Sequence, residues 1–363
     1  MFLSRLILLI LLQQSFIART ISQIVGDSAK IPQISQTPQS ICSYRITCDI
    51  KMKRDDMDQV SPLCTALASS NNTEANIQGL KPLRTQVPPL PFMRVYKLKY
   101  EQWDDVFKNA GELTIDTISQ AITNDGLCAV AFDKMYSSTP GTSDDKERSD
   151  KIVTFFCQLK ERNPGILFGI VLPKDGLLIH HAFDVATVDV VADFYIAKTL
   201  HYRKCFYKVD LLSDENKKTT YNTDLEDSIK HLQNRKYDLS KTLLTIDINA
   251  YSFKVKVSDN KQFQTHTYGE LCSHKMSKHR HMCTDTLEQF FNKAKLAFQY
   301  KMLGIYVVYL DSDDVGGKCG CSDEQNSKNY PILKVMAKAL DGAFTSGVLN
   351  NCNSFGKPQP GDS

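Results

Sequence analysis

No apolar stretch in this chain reaches the length of a bilayer-crossing helix, which takes about 20 residues. The run Leu6–Leu12 has the size of a leader core and Gly165–Pro173 that of a strand, so a membrane span is not expected. An excess of one charge is lacking too. Lys and Arg number 44 against 41 Asp and Glu, a net +3, too balanced for binding nucleic acid through bulk charge. There is no repeat of solenoid type and no low-complexity domain. Hydrophobic residues at 42% and charged residues at 23% supply both a core and a solvated surface, which excludes disorder through most of the chain. Tryptophan is nearly absent: Trp103 is the only one in 363 residues.

What is present begins with a secretory pattern. Arg5 precedes the apolar run Leu6–Leu12, and the small Ala18 follows a few positions later, so residues 1–18 read as a signal peptide and the mature protein as secreted and extracellular. Eleven cysteines in a secreted chain imply disulfides, with at least one thiol left free or paired between molecules. Asn71-Asn72-Thr73 is the only N-x-S/T sequon, making Asn71 the candidate glycosylation site.

Residues 19–39 are rich in Gln, Ser, Thr and Pro and read as a flexible lead-in; residues 346–363 read as a tail. Between them, over 40–345, short β-rich runs alternate with stretches of helical spacing, the arrangement of a parallel sheet built through crossover helices. Eight runs qualify: Ser40–Thr47, Cys64–Ser69, Arg94–Tyr100, Gly126–Phe132, Gly165–Leu172, Val190–Leu200, Thr242–Asn249 and Gly304–Leu310. Helical spacing occupies Asp116–Thr123, Lys146–Arg162, Asp224–Asn234 and Thr284–Tyr300, with a last helix at Pro331–Leu340. Eight strands in this length predict a closed (β/α)8 TIM barrel; an open doubly wound sheet is the rival.

Four phrases in order carry a resemblance. They are Ile41-Cys42-Ser43-Tyr44 with Leu63-Cys64-Thr65; Ser240-Lys241-Thr242-Leu243-Leu244-Thr245-Ile246 with Ser252-Phe253; Leu310-Asp311-Ser312-Asp313-Asp314; and Gly317-Lys318-Cys319-Gly320. Over roughly residues 40–345 the chain resembles the chitinases and chitinase-like proteins of glycoside hydrolase family 18. The resemblance implies disulfides Cys42–Cys64 and Cys272–Cys319. It also implies a small α+β insertion before Cys272, which only 18 residues between Phe253 and Cys272 leave reduced or absent.

The family's chemistry rests on a strand-four motif, D-G-x-D-x-D-x-E. Its last three acids, two apart, share one strand face and climb toward the barrel mouth. The Glu protonates the glycosidic oxygen while the neighbouring Asp steadies the substrate's own N-acetyl group. The aligned segment, Asp125 to Phe132, keeps only Asp125. Cys128 and Val130 stand at the other Asp positions and Phe132 at the Glu position, which leaves no general acid. Asp133 is the nearest carboxylate, but the pleat is expected to turn it off the face of residue 132. Leu200 and His201 replace the Tyr and Asp that hold the family's sugar, and Val308 replaces its aromatic floor, with loss of stacking affinity.

Other candidates read as structure. Cys272, His274, His279, His281 and Cys283 have zinc-like spacing, but a disulfide at Cys272 removes a thiolate, so no metal is expected. His180 and His181 read as surface loop residues, Asp311–Asp314 lacks the spacing of a calcium loop, and Lys51–Asp56 is a solvated loop. The sequence thus predicts a chitinase-like pseudoenzyme, with no cofactor, that binds an unknown extracellular protein or glycan. The alternatives are a residual lectin for N-acetylglucosamine oligomers and an active glycosidase with relocated acids.

Overall fold

The computed structural model describes residues 45–51, 60–70, 73–85, 90–109, 113–136, 145–173, 179, 182–198, 220–254, 262–273, 281–321 and 329–343. All of them lie in one compact unit, Ile41–Ser363. The leader, the 19–39 segment, Cys42, Asn71, His180, His181, Leu200, His201, His274, His279 and the 346–363 tail fall outside the described residues. Among the described residues no helix is long and apolar enough to cross a membrane.

Seven parallel strands come first: β1 (Ile46–Asp49), β2 (Ala66–Ser69), β3 (Phe92–Lys97), β4 (Ala129–Asp133), β5 (Leu167–Leu172), β6 (Phe194–Ala197) and β7 (Thr242–Asp247). Three antiparallel strands follow, β8 (Ala250–Lys254), β9 (Gln262–His266) and β10 (His281–Cys283), before the last barrel strand, β11 (Gly304–Val308). Because β1 pairs with both β2 and β11, the parallel strands close into an eight-stranded barrel. The main surrounding helices are α1 (Glu74–Leu80), α2 (Gln102–Phe107), α3 (Ile115–Asp125), α4 (Asp145–Arg162), α5 (Val185–Val188), α6 (Thr220–Asn234), α7 (Tyr268–Ser273), α8 (Leu287–Gln299) and α9 (Pro331–Leu340). The architecture is the (β/α)8 barrel that eight β-rich runs predict.

Local chemistry sets the helix ends. Thr114 and Thr117 form a capping box at the start of α3, and Gly126, at φ 56°, ends that helix in the left-handed region where a side chain is disfavoured. Thr286 and Gln289 cap α8 in the same reciprocal way. Pro331 opens α9, and its early N–H groups at Ile332 and Leu333 donate to the buried Asp313 carboxylate.

Alternation along the strands separates two cores. Outward side chains such as Ile46, Cys48, Leu67, Phe92, Val130, Phe132, Phe168, Ile170, Leu244, Ile246, Ile305 and Val307 pack under the helices. Inward ones, including Ala68, Met93, Val95, Ala129, Ala131, Val171, Phe194, Ile196, Leu243 and Tyr306, form a second cluster in the lumen. The lumen is a packed core and not a pore. Phe194 lies so close to Gly169 that a Cβ there would sit 2.3 Å from its ring, so only glycine fits. A ligand entering the barrel from the C-terminal ends of the strands would therefore stop above this plug.

Two expectations are corrected. Cys64 is bonded to Cys48 and not to Cys42, with Cα atoms 5.9 Å apart. The first strand begins at Ile46 instead of Ser40, and its register, Thr47 opposite Ala66, brings the outward Cys48 beside the approach to β2. Between Phe253 and Cys272 the insertion is reduced and not absent, within the expectation, since β9 completes a three-stranded sheet in the order β10-β8-β9. With α7 this makes a reduced α+β insertion. Cys272 is bonded to Cys319, the pairing the resemblance implies. Cys128 and Cys321 are also in disulfides, and Cys157 is a free, exposed thiol.

Candidate functional site at the barrel mouth

The face assignment of β4 reverses the sequence reading. Val130 and Phe132 point outward, both with no exposed surface. Phe132 is the hub of an aromatic cluster, 5.6 Å from Trp103 edge-on, 5.3 Å from Phe155, 5.5 Å from Phe156 and 6.0 Å from Tyr96 between ring centroids. Trp103 is fully buried beneath the helices and donates its indole N–H to the Asp133 carbonyl at 3.0 Å, so it is no sugar platform. The inward set is Ala129, Ala131 and Asp133. The physical reason is packing: the small Ala129 and Ala131 fit the lumen beside Met93, Val95 and Phe194, while the bulky Val130 and Phe132 fill the layer under the helices.

Asp133 therefore sits at the mouth end of the inner face. Its carboxylate is 4% exposed and accepts from Lys198 Nζ through both oxygens, each at 2.6 Å. Lys198 follows the inward Phe194 and Ile196 of β6 in the same alternation. Two steps below Asp133 are Ala131 and Ala129, which bring no second acid to this strand's inner face.

The other expected positions divide. Asp125 ends α3 at the opposite end of β4, where Arg94 at 3.0 Å and Lys81 at 3.9 Å neutralise it, a structural role away from the mouth. Cys128 precedes β4 and is packed against the lumen cluster. Val308 shares the inner face with Tyr306 and packs half-buried at the mouth.

A further set was not singled out from sequence. Asp49, the last residue of β1, is 1% exposed. It accepts from Ser70 N at 2.9 Å and Ser70 Oγ at 2.9 Å, and from the Tyr306 hydroxyl. Burial, helped by the nearby Asp311 charge and opposed by these hydrogen bonds, pushes its carboxyl up to about 7. Burial next to Asp49 pushes the Tyr306 hydroxyl up in turn. The available signal was an acid closing a short β-branched run, since acids at the C-terminal ends of barrel strands face the mouth.

Around them, Asp247 accepts from Asn249 N at 2.8 Å and Nδ2 at 2.9 Å. Tyr309 stands in the left-handed region at φ 61° with its ring half-buried, 5.3 Å from Lys51 Nζ. The acid run after β11 is structural. Asp311 accepts from Lys51 N at 3.0 Å, Asp313 holds the start of α9, and Asp314 receives Lys318 N at 2.8 Å and Cys319 N at 2.6 Å. Among the described residues no group of three or more His, Cys, Asp and Glu side chains is placed to hold a metal ion.

No protein-family model matches the chain, and no curated protein matches it. Solved structures do. Catalytic domain 2 of the group II chitinase of Ostrinia furnacalis superposes with a TM-score of 0.64 at 13% identity, over 84% of this chain and 98% of that one. An immunomodulatory active chitinase from Trichuris suis gives 0.60 at 15%, over 82% and 99%. Human YKL-39, described as a pseudo-chitinase with retained chitooligosaccharide binding, gives 0.58 at 12%, over 82% and 100%. The chain has the (β/α)8 barrel fold shared by these chitinases and chitinase-like proteins.

Proposed function

We propose that the protein is a secreted, chitinase-like pseudoenzyme that binds an extracellular protein or glycan at the barrel mouth without hydrolysing it. The observation that carries this reading is the Lys198–Asp133 pair. A general acid must offer a proton to the leaving oxygen, and a carboxylate that accepts on both oxygens from an ammonium is engaged as an acceptor. Ala131 stands where a second acid would orient the substrate, and Val308 offers no ring for a sugar face. Secretion is supported by the leader-like first 18 residues and by the disulfides.

The reading of an active glycosidase with relocated acids gains from the inward position of Asp133 and loses from its ion pair. The residual-lectin reading is favoured by human YKL-39, a pseudo-chitinase that keeps chitooligosaccharide binding on this fold, and by the half-buried ring of Tyr309 at the mouth. Calorimetric titration with chitotetraose, run beside a turnover assay, separates the three. Absence of both heat and turnover supports a non-chitin partner, and heat without turnover supports the lectin. Turnover that vanishes in Asp133→Asn overturns the pseudoenzyme reading.

A further inference from the structure

We infer that Asp49, Ser70 and Tyr306 form a proton-binding site in the barrel lumen that sets the tie between the ends of β1 and β11. The geometry comes from four elements. The Asp49 carboxyl ends β1, is 1% exposed, and is held by Ser70 beyond β2, through its N–H and its hydroxyl, and by the Tyr306 hydroxyl of β11. Two residues further along the chain, Lys51 N donates to Asp311 Oδ1 at 3.0 Å, and Lys51 Nζ lies over the Tyr309 ring. The strand ends are thus joined through Asp311, a second carboxylate whose charge acts on Asp49.

The charged surroundings are few and can be named. From β11 and its turn come Tyr306, Tyr309 and Asp311; from the extension of β1 comes Lys51; from β7 comes Asp247, acting on Tyr309. From β4 comes Asp133, acting on Tyr306 and already paired with Lys198 of the β6 end. Among these, Asp49 combines the deepest burial with the fewest opposing cations. Burial raises its titration to about 7.

Protonation near neutral pH removes the repulsion between Asp49 and Asp311. It also turns the carboxyl from an acceptor toward Tyr306 into a group that can itself donate. The Lys51–Asp311 link and the left-handed Tyr309 turn, both at the mouth, therefore experience a different field above and below neutrality.

The test is a carbon-detected NMR titration of aspartate carboxyl groups from pH 5 to 9 on the whole folded protein, with the amides of Lys51 and Ser70, the donors to Asp311 and Asp49, followed in parallel. The expected result is two buried aspartates titrating near neutrality, Asp49 and Asp313, of which one is lost in Asp49→Asn, with both amides shifting at the midpoint of the lost one. Asp311→Asn, at the exposed link, should lower the midpoint by removing like charge, while Tyr306→Phe should raise it by removing a hydrogen bond to the charged form. An Asp49 carboxyl that titrates in the ordinary aspartate range overturns the inference, as do amides that ignore its transition or an Asp311→Asn midpoint that does not fall. The Asp311→Asn arm decides the matter if Asp49→Asn fails to fold.

Discussion

Lys198 Nζ lies 2.6 Å from each oxygen of Asp133 across a strand gap, because β5 separates β4 from β6 in the barrel order. The pair is therefore set by lumen packing and not by a shared ladder. Removing one partner leaves the other charge stranded above an apolar plug. Lys198→Met should destabilise the protein by about 3 kcal/mol, the lower end for a broken buried pair because the lysine is 22% exposed. Lys198→Met with Asp133→Asn should recover most of that loss. Chemical denaturation of the three proteins checks this, and equal stability of Lys198→Met and wild type would contradict it.

Phe132 belongs to the helix-facing core. Phe132→Ala should cost about 3–5 kcal/mol by emptying the centre of the Trp103, Phe155 and Phe156 cluster. Phe132→Glu should express poorly and gain no hydrolysis, since the new carboxylate would be desolvated under the helices. The inner-face acids are restored instead by Ala131→Asp with Asp133→Glu. Soluble, stable Phe132→Glu protein would contradict the face assignment.

Asp313 gives a pH dependence whose sign is fixed. Burial raises its carboxyl to about 7, against hydrogen bonds from Leu333, Asp314 and Ile332 that lower it. The folded chain then holds a proton that the unfolded chain, at an ordinary value near 3.8, has released. Stability therefore falls as pH rises from about 4 to about 7, by up to about 1.4 kcal/mol per pH unit for such a group. Asp49 acts with the same sign. Asp313→Asn should flatten the stability–pH slope over that window, measured by urea unfolding at each pH; a steeper slope in the variant would contradict the assignment.

The covalent framework is checked by peptide mapping without reduction. Linked peptides should contain Cys48 with Cys64 and Cys272 with Cys319, and Cys157 should react with a thiol reagent in the native protein. A peptide joining Cys42 to Cys64 would contradict the barrel's first register. Loss of the Cys272–Cys319 bond, which spans 47 residues, should destabilise the fold by roughly 3–4 kcal/mol.

The barrel was legible in the sequence because period and length are strong signals: all eight β-rich runs contain or overlap a barrel strand, and Pro331–Leu340 is the last helix to the residue. The site was less legible because it depends on which of two faces is inside, and a one-residue slip exchanges them. At β4 the motif spacing pointed to Val130 and Phe132, whereas those bulky side chains pack under the helices and leave Ala131 and Asp133 inward. A displaced strand, without exchange of faces, hid Cys48: a strand placed at Ser40–Thr47 leaves it beyond the strand end. Lys198 carried no signal of its own, because a lysine after an apolar strand reads as an ordinary solvated end until its partner on β4 is known.

Whether the protein hydrolyses chitin is decided by prolonged incubation of the purified protein with a fluorogenic chito-oligosaccharide, at several pH values and beside the Asp133→Asn variant. Neither protein should release product above background at any pH. Turnover by the wild type that is lost in Asp133→Asn would show that the lumen carboxylate still acts as a general acid and that the protein is not a pseudoenzyme.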